Sequence, residues 1–332
     1  MNEIVVKIFK YVISAALAAV LLWFSFRGVS WNDFVGALRS CRWEYVLLSM
    51  ATGLLSFYIR ALRWRLVLLP VDPKVKRKTC FNAVNISYVA NMVLPRVGEF
   101  VRCAYVTADS SKNEKGEKLA SYDKVLGTVV VDRSSDILMM VILLVPCIIL
   151  GWNRFGAFFA EKIFGPMAAG FNLWYILVIV AVIAAGAFVV SRVKAFSGFA
   201  SGVWNGFKAC FRMEHTGLFI FYSFFLWGLY WFMSLAIFWA VSDISPEALG
   251  AVDGLDIFFL MIVGALSSLV PVPGGFGAFH YLLSLALTTV YGVPAHIAIV
   301  FATLSHESQA LIQGSAGFVS YIWETLRVRS SK

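Results

Sequence analysis

Two apolar stretches of this chain are interrupted by proline and glycine, and the first interruption carries opposite charges. It reads PRVGE at 95–99. Arg96 and Glu99 are three positions apart, so on a helix they share one face and could form an ion pair. Alternatively, the Arg96 guanidinium could hold a phosphate group through two parallel hydrogen bonds. Because ionisable groups in hydrophobic segments mark functional sites by default, we favour a functional role over a closing ion pair at a buried turn.

The second interruption is rich in glycine. It reads PVPGGFG at 271–277 and includes Gly274 and Gly275. Successive glycines free backbone N–H groups, and the helix that starts after them offers its positive dipole end to an anion. Taken alone, the motif predicts no more than a tight turn. Two such breaks in separate halves of a membrane chain, however, are the usual sequence indication of a transport site.

A third group of charges lies inside the apolar segment 124–150. Asp132 and Asp136 are four positions apart and share a helical face, with Arg133 beside them. One interpretation is an ion pair that packs two helices together, with the charges of the first interruption as partners. The other is a charge relay or a head-group site shared with that interruption and with Arg102. The sequence leaves both open.

Arginines also crowd one end of the apolar segment 44–69. Arg60 and Arg63 share a helical face there, and Arg65 follows. The favoured interpretation is that these long side chains reach out of the hydrocarbon to anionic lipid head groups. The alternative is that Arg60 or Arg63 points inward and binds a lipid phosphate.

Titratable side chains follow the second interruption. His280 lies just after it, and His306 and Glu307 are adjacent in the last apolar segment. A histidine–carboxylate pair that titrates could couple transport to protons, although such groups more often satisfy neighbouring backbone. The spacing of the histidines matches no metal-ligand pattern, so we expect neither a metal nor another cofactor.

The composition defines the setting of these groups. The chain has 332 residues, of which 60% are hydrophobic and only 14% charged, and its mean hydropathy is +0.79. Soluble domains carry about 25% charged residues. We therefore predict an all-α polytopic membrane protein that forms one integral membrane domain over residues 1–332. Spans of about 20 apolar residues are predicted at 4–26, 44–69, 124–150, 173–191, 216–242 and 295–323.

The two interrupted regions are predicted to be re-entrant hairpins, at 80–106 and 256–293. Segment 243–256 has four acidic residues and no basic one, so the positive-inside rule places it outside the cell. The hairpins must then enter from opposite sides, with both chain termini cytoplasmic, as expected of an inverted-repeat transporter. The basic residues assigned to the cytoplasm lie in segments 70–79, 107–123 and 192–215.

The formal net charge of +9 does not indicate nucleic-acid binding. The basic residues lie at the ends of apolar segments, where they attract anionic lipid head groups, and no basic face with interleaved aromatics is apparent outside the membrane. The five cysteines are scattered without a C-x-x-C pair, so we interpret them as small hydrophobic residues.

Four motifs, in this order, resemble the flippase-like transmembrane family, which is the membrane region of lysylphosphatidylglycerol synthases. They are RALRWR at 60–65, LPRVGEFVR at 94–102, Asp132-Arg133 with Asp136, and PVPGGFG at 271–277. The resemblance covers about residues 5–325 and implies a stand-alone member without the aminoacyl-transfer domain, so that lysylation of lipid is not expected. One departure is His280, since family members often carry glutamate shortly after the glycine turn.

The resemblance implies movement of a lipid with an anionic or modified head group between leaflets. We therefore favour a flippase or scramblase of the plasma (bacterial inner) membrane over an enzyme. Its partners would be anionic phospholipid or a lipid-linked glycan. The alternatives are an accessory subunit that presents lipid to a separate cytoplasmic or membrane enzyme, and an intramembrane enzyme that modifies lipid. In the favoured hypothesis Arg96, Arg133 and Arg60 hold phosphate, oriented by Glu99, Asp132 and Asp136.

Overall fold

The computed structural model describes residues 3–165, 194–250 and 252–330, which form helices and loops without a β-strand. A π-helical turn follows α7 at Phe159–Phe164. The α-helices are α1 (Glu3–Phe26), α2 (Trp31–Arg39), α3 (Trp43–Leu68), α4 (Arg77–Val93), α5 (Gly98–Ala108), α6 (Tyr122–Leu150), α7 (Trp152–Phe158), α8 (Lys194–Cys210), α9 (Thr216–Val241), α10 (Pro246–Leu249), α11 (Gly254–Leu266), α12 (Ala278–Tyr291) and α13 (Ala295–Ser330).

Within the described ranges, 3 helices are long and apolar enough to cross a membrane by themselves, namely α3, α6 and the helix that begins with α9. They confirm the predicted spans at 44–69, 124–150 and 216–242. The bent pair α1 and α2, which meet at 82°, would add a further span if the two cross together. The predicted span 173–191 lies outside the described residues. The chain is thus an all-α polytopic membrane protein.

The predicted span 295–323 falls within α13, which has 36 residues. Length alone would let α13 cross a membrane, but it is absent from the set of helices that are apolar enough. The reason is visible in its sequence, which places His306, Glu307 and Gln309 near mid-helix and Glu324 near its end.

The long helices define two ends of the molecule. At one end the Arg42 backbone amide, just before α3, donates to the Ala240 carbonyl of α9 at 2.9 Å. At the other end the Cys210 thiol lies 3.8 Å from the Val67 carbonyl of α3. We call the first the acidic end, because its loops contain Asp243 and Asp253, and the second the basic end, because its loops contain Lys74, Lys76, Lys112, Lys115 and Lys118.

Helices α4 and α5 form the first hairpin, and both arms open at the basic end. There the Thr79 hydroxyl, near the start of α4, donates to the Asp109 carboxylate that follows α5. Proline at position 95 lacks a backbone donor and disfavours helix before it, so α4 ends at Val93. Arg96 occupies the turn with a φ of 65°, a conformation uncommon outside glycine.

Gly98 sets the separation of the two arms. Its backbone amide donates to the Asn91 side-chain oxygen at 2.7 Å, which closes the turn. A Cβ at this position would overlap the Ser87 carbonyl oxygen of α4. Only glycine therefore permits α5 to begin so close to α4.

Helices α11 and α12 form the second hairpin, and its arms open at the acidic end. The Tyr291 hydroxyl, at the end of α12, donates to the Asp256 carboxylate in the first turn of α11 at 3.0 Å. Asp253 caps α11 by accepting the backbone amides of Leu255 and Asp256. The Arg154 guanidinium donates to Asp253 at 2.7 Å and, with those amides, lowers the pKa of Asp253 to about 2. The hairpin base therefore stays charged throughout the physiological range.

The tip of the second hairpin depends on glycines with positive φ. Gly274, Gly275 and Gly277 have φ values of 58°, 82° and 79°. A Cβ on Gly277 would overlap the Ala18 carbonyl oxygen, so α1 lies directly against this tip. A chain with bulkier residues could neither make this turn nor accept α1 so closely.

The two hairpins approach from opposite ends, and their tips meet. The Arg96 guanidinium of the first tip donates to the Ser268 carbonyl of the second at 2.9 Å. Because the arms of each hairpin return to one end, the regions 80–106 and 256–293 form two opposed hairpins. Their re-entrant course through the membrane stays a prediction. An inverted repeat that would relate the two halves stays a prediction.

Candidate functional site

A cluster of charged side chains is buried where α3, α5 and α6 meet, and Asp132 lies at its centre. The Arg63 guanidinium contacts the Asp132 carboxylate at 2.6 Å, and the Arg102 guanidinium contacts it at 3.0 Å. All three side chains are fully buried. Asp132 therefore receives one arginine from α3 and one from α5, and it ties both helices to α6.

Asp136 extends the cluster one turn along α6. It accepts from Arg63 at 2.7 Å and from Arg60 at 2.9 Å. Arg60 also donates to the Tyr230 hydroxyl of α9 at 2.9 Å. The two aspartates are four positions apart on α6, and the two arginines are three positions apart on α3. Residues at these spacings share one face of a helix, so the two aspartates can face the two arginines.

The outer edge of the cluster is formed by Arg133 and Glu99. Arg133 Nε lies 3.3 Å from Glu99 Oε1, and its Nη1 lies 3.6 Å from Asp136 Oδ2. The Arg133 side chain is 31% exposed, whereas those of Glu99 and Asp136 are 15% and 18% exposed. Arg133 is therefore the arginine through which an incoming group would first reach the cluster.

The cluster has more positive than negative charge. The arginines are Arg60, Arg63, Arg102 and Arg133, and the carboxylates are Glu99, Asp132 and Asp136. Several buried guanidinium nitrogens have no hydrogen-bond partner among the described residues, namely Arg60 Nε, Arg63 Nε and Nη1, and Arg102 Nε and Nη2. Excess charge and unpaired donors are costly in a low-dielectric interior, so an anion that reached the cluster would be bound favourably.

Aromatic rings cover the cluster toward the basic end. The Arg102 guanidinium lies 4.6 Å from the centre of the Trp64 ring, and the Arg63 guanidinium lies 5.7 Å from that of Phe219. The Trp64 indole nitrogen donates to Thr128 at 3.2 Å, which fixes the ring. Cation–π contacts of this kind stabilise guanidinium groups where water is excluded.

Arg60 and Arg63 do not reach out to lipid head groups, as the favoured interpretation of the sequence had it. Their residues are 7% and 0% exposed, and both point inward at the aspartates of α6. The interpretation was wrong because two carboxylates at the same depth are stronger partners than distant head groups. Arg65, in contrast, points away from the cluster and donates to the Val75 carbonyl at 2.9 Å.

Arg96 lies outside the buried cluster. It is exposed at the tip of the first hairpin, and its hydrogen bond goes to the second hairpin. The structure pairs Glu99 with Arg133 instead of with Arg96. Of the predicted site residues, Arg60, Arg63, Glu99, Arg102, Asp132, Arg133 and Asp136 come together, while Arg96, Gly274 and Gly275 form the meeting point of the tips.

A second polar group lies at the tip of the other hairpin. Glu307 Oε1 is 3.3 Å from His280 Nε2 and 3.0 Å from His306 Nδ1. His306 Nε2 is 2.9 Å from the Gly274 carbonyl. His280 is almost fully buried, whereas the Glu307 side chain is 40% exposed. The predicted histidine–carboxylate pair therefore exists, and it is linked to the glycine turn.

Sequence reasoning did not find Tyr230 or Trp64 as parts of the charge cluster. Most residues near Tyr230 in the sequence are apolar, so only its hydroxyl group could have indicated a polar contact. Trp64 stands between two arginines in the motif at 60–65, where a ring suits a cation–π contact. Neither feature of the sequence indicates which helix the side chain contacts, and only the structure shows this.

The fold and the site together define an integral membrane protein with opposed hairpins and a buried charge cluster. A sequence model of the family described as "Lysylphosphatidylglycerol synthase TM region" matches residues 11–317. The chain belongs to this family, and its role is related to membrane lipid. No curated protein and no solved structure matches the chain.

Proposed function

We propose that the protein moves a lipid with an anionic or modified head group between the two leaflets of the membrane. The observation that carries this proposal is the buried excess of arginine over carboxylate, together with guanidinium nitrogens that lack partners. A phosphate group would neutralise the excess and accept those hydrogen bonds, while the acyl chains stayed in lipid. The family's name refers to lysylphosphatidylglycerol, whose phosphate group offers the same hydrogen-bond acceptors.

The position of the cluster supports a role in crossing rather than in surface binding. Asp132 is ten residues into α6 from the basic end, which is roughly 15 Å along the helix axis. This depth is about half of a hydrocarbon core of roughly 30 Å. A head group that reached Arg133 would therefore be halfway across, beside Glu99 near the tip of the first hairpin.

The first experiment measures transbilayer movement in vesicles that contain the purified protein. Fluorescent phosphatidylglycerol and lysylphosphatidylglycerol are placed in both leaflets, and an impermeant quencher reports how fast inner-leaflet lipid appears outside. We expect Arg133→Gln to slow movement by at least about tenfold, equivalent to about 1.4 kcal/mol of barrier. Arg39→Gln is the matched control, because Arg39 is an exposed arginine of α2 at the acidic end. Wild-type protein no faster than empty vesicles would overturn the proposal.

Arg96 requires a pair of variants, because its backbone is unusual. Arg96→Ala removes the guanidinium but keeps a side chain at a φ of 65°, whereas Arg96→Gly removes both the charge and the conformational penalty. We expect both variants to abolish movement while still inserting into the membrane. Movement restored in Arg96→Gly alone would show that the turn, and not the charge, matters at this position.

The proposal also states in which membrane the protein acts, how it is oriented there, and whether it changes the lipid chemically. The protein acts in the bacterial inner membrane with the basic end and both termini in the cytoplasm, and it leaves the lipid chemically unchanged. Mass spectrometry of lipid recovered from the vesicles checks the second point. Conversion of the labelled lipid by the pure protein would favour the intramembrane enzyme, and recovery of a stoichiometric soluble enzyme would favour the accessory subunit.

A further inference from the structure

The group formed by His280, His306 and Glu307 has the composition of a metal site. His280 comes from α12 and the other two residues come from α13, so the spacing along the chain could not reveal it. One ligand atom from each residue lies within 4.8 Å of the others. Two histidines and one carboxylate are the ligand set of several zinc and iron centres.

The contacts of His306 are compatible with a metal ion at this place. Its Nε2 lies 2.9 Å from the Gly274 carbonyl, which can only accept, so Nε2 carries a proton. In the neutral ring, Nδ1 then directs a lone pair at Glu307 Oε1, 3.0 Å away. Two electron-rich atoms at this distance repel each other. A metal ion bound between the two atoms would remove this repulsion.

The distances suit a metal ion. Ligand atoms that bind zinc tetrahedrally at 2.0–2.1 Å lie about 3.3 Å from one another. Here the separations from Glu307 Oε1 are 3.0 Å to His306 and 3.3 Å to His280. The ligand atoms of His280 and His306 lie within 4.8 Å of each other.

The surroundings have two features that metal sites share. A metal-bound histidine usually donates its other ring nitrogen to a carbonyl or carboxylate, and the Gly274 carbonyl occupies that position for His306. Aromatic rings lie against His306, with the Phe276 and Phe279 ring centres 4.9 Å and 5.4 Å from that of its imidazole. An imidazole oriented in this way favours binding of the ion, and the half-exposed Glu307 leaves it a path from solvent.

We propose that His280, His306 and Glu307 bind one divalent transition-metal ion of the zinc class. The ion would join α12 to α13 and, through Gly274, fix the tip of the second hairpin where it meets Arg96. Three protein ligands leave a fourth position for water or an anionic oxygen. The inference is independent of the lipid proposal, because it concerns binding of the ion alone.

The test uses full-length protein in detergent, stripped with a chelator and titrated with zinc chloride in a calorimeter. We expect one ion per chain and a higher melting temperature with zinc than without it. His306→Gln and Glu307→Gln should each weaken binding by more than about 100-fold, beyond the 10–100-fold typical of an outer-shell partner. His215→Gln and His296→Gln, which change histidines outside the group, should leave binding intact.

Cobalt provides a measurement on the wild-type protein that does not depend on how well the variants fold. Cobalt(II) bound by histidine and carboxylate in a four-coordinate site absorbs strongly in the visible range, and hydrated cobalt does not. We expect this absorption on adding cobalt chloride and its loss on adding zinc. Wild-type affinity no higher than that of Glu307→Gln, or no cobalt absorption, would overturn the proposal.

Discussion

Asp132 is the residue on which the buried charge cluster depends most. It is the shared partner of Arg63 and Arg102, and none of the three side chains contacts solvent. Buried ion pairs contribute little compared with apolar packing, but removal of one partner leaves an uncompensated charge. The stability of the helix bundle is therefore more sensitive to the loss of this one carboxylate than to the loss of any surface pair.

We expect Asp132→Asn to lower the free energy of unfolding by about 3–5 kcal/mol, the usual cost of breaking a buried pair. Asparagine keeps the shape of the side chain, so the effect would come from charge. Unfolding by a denaturing detergent in mixed micelles measures it. Asp243→Asn is the control, because Asp243 pairs with Arg42 at the surface, with both side chains largely exposed. Equal effects of the two substitutions would contradict the central position of Asp132.

For single residues, the sequence predicted which charged side chains belong to the cluster better than it predicted which of them form ion pairs with each other. The spacing of Asp132 and Asp136 showed that they share a face, and that of Arg60 and Arg63 showed the same. What the spacing could not show is that these two faces meet, because the rotation of one helix against another depends on the packing of all residues between them. For this reason the sequence supported the inward direction of Arg60 and Arg63 only as the alternative to contact with lipid head groups.

The hairpins are the elements that bring these residues together. Proline and glycine in mid-segment predicted both breaks, since proline ends a helix and glycine permits a positive φ. The close approach of the arms is a consequence of Gly98, where a Cβ would overlap the Ser87 carbonyl. The sequence indicated a turn there but gave no sign of how closely α5 lies against α4.

We expect Gly98→Ala to cost about 1–3 kcal/mol, as overpacking of a tight contact usually does. The displaced α5 would also carry Glu99 and Arg102 away from α6, so lipid movement should fall as well. Gly314→Ala is the matched control, because nothing lies within 4 Å of a Cβ built at Gly314 in the middle of α13. Alanine there should be neutral or stabilising by up to ~1 kcal/mol. Unfolding in mixed micelles compares them, and an unaffected Gly98→Ala would rule out the close contact.

For the whole molecule, the distribution of charge along the chain predicted how the two hairpins are arranged, whereas the apolar pattern predicted only some of the long helices. Lysines in the loops 70–79 and 107–123, against acids in 243–256, required the hairpins to enter from opposite ends, and the structure has them so. The apolar pattern does not by itself identify α13 as a membrane-spanning helix, because polar residues that face other helices lower its hydropathy. Asn82 of α4, for example, donates to Glu324 of α13 at 2.6 Å. Side chains paired inside the protein lower the hydropathy of a helix without placing it in water.

The orientation of the molecule is open to a direct test, because all five native cysteines are buried and should react slowly. Glu247 and Lys115 are exposed, near the acidic and the basic end respectively. We expect an impermeant maleimide to label Glu247→Cys in intact cells and to label Lys115→Cys only after the membrane is opened, because basic loops stay in the cytoplasm. The unsubstituted chain gives the background. The reverse pattern would invert the orientation yet keep the fold, whereas labelling of both positions from one side would contradict the opposed hairpins themselves.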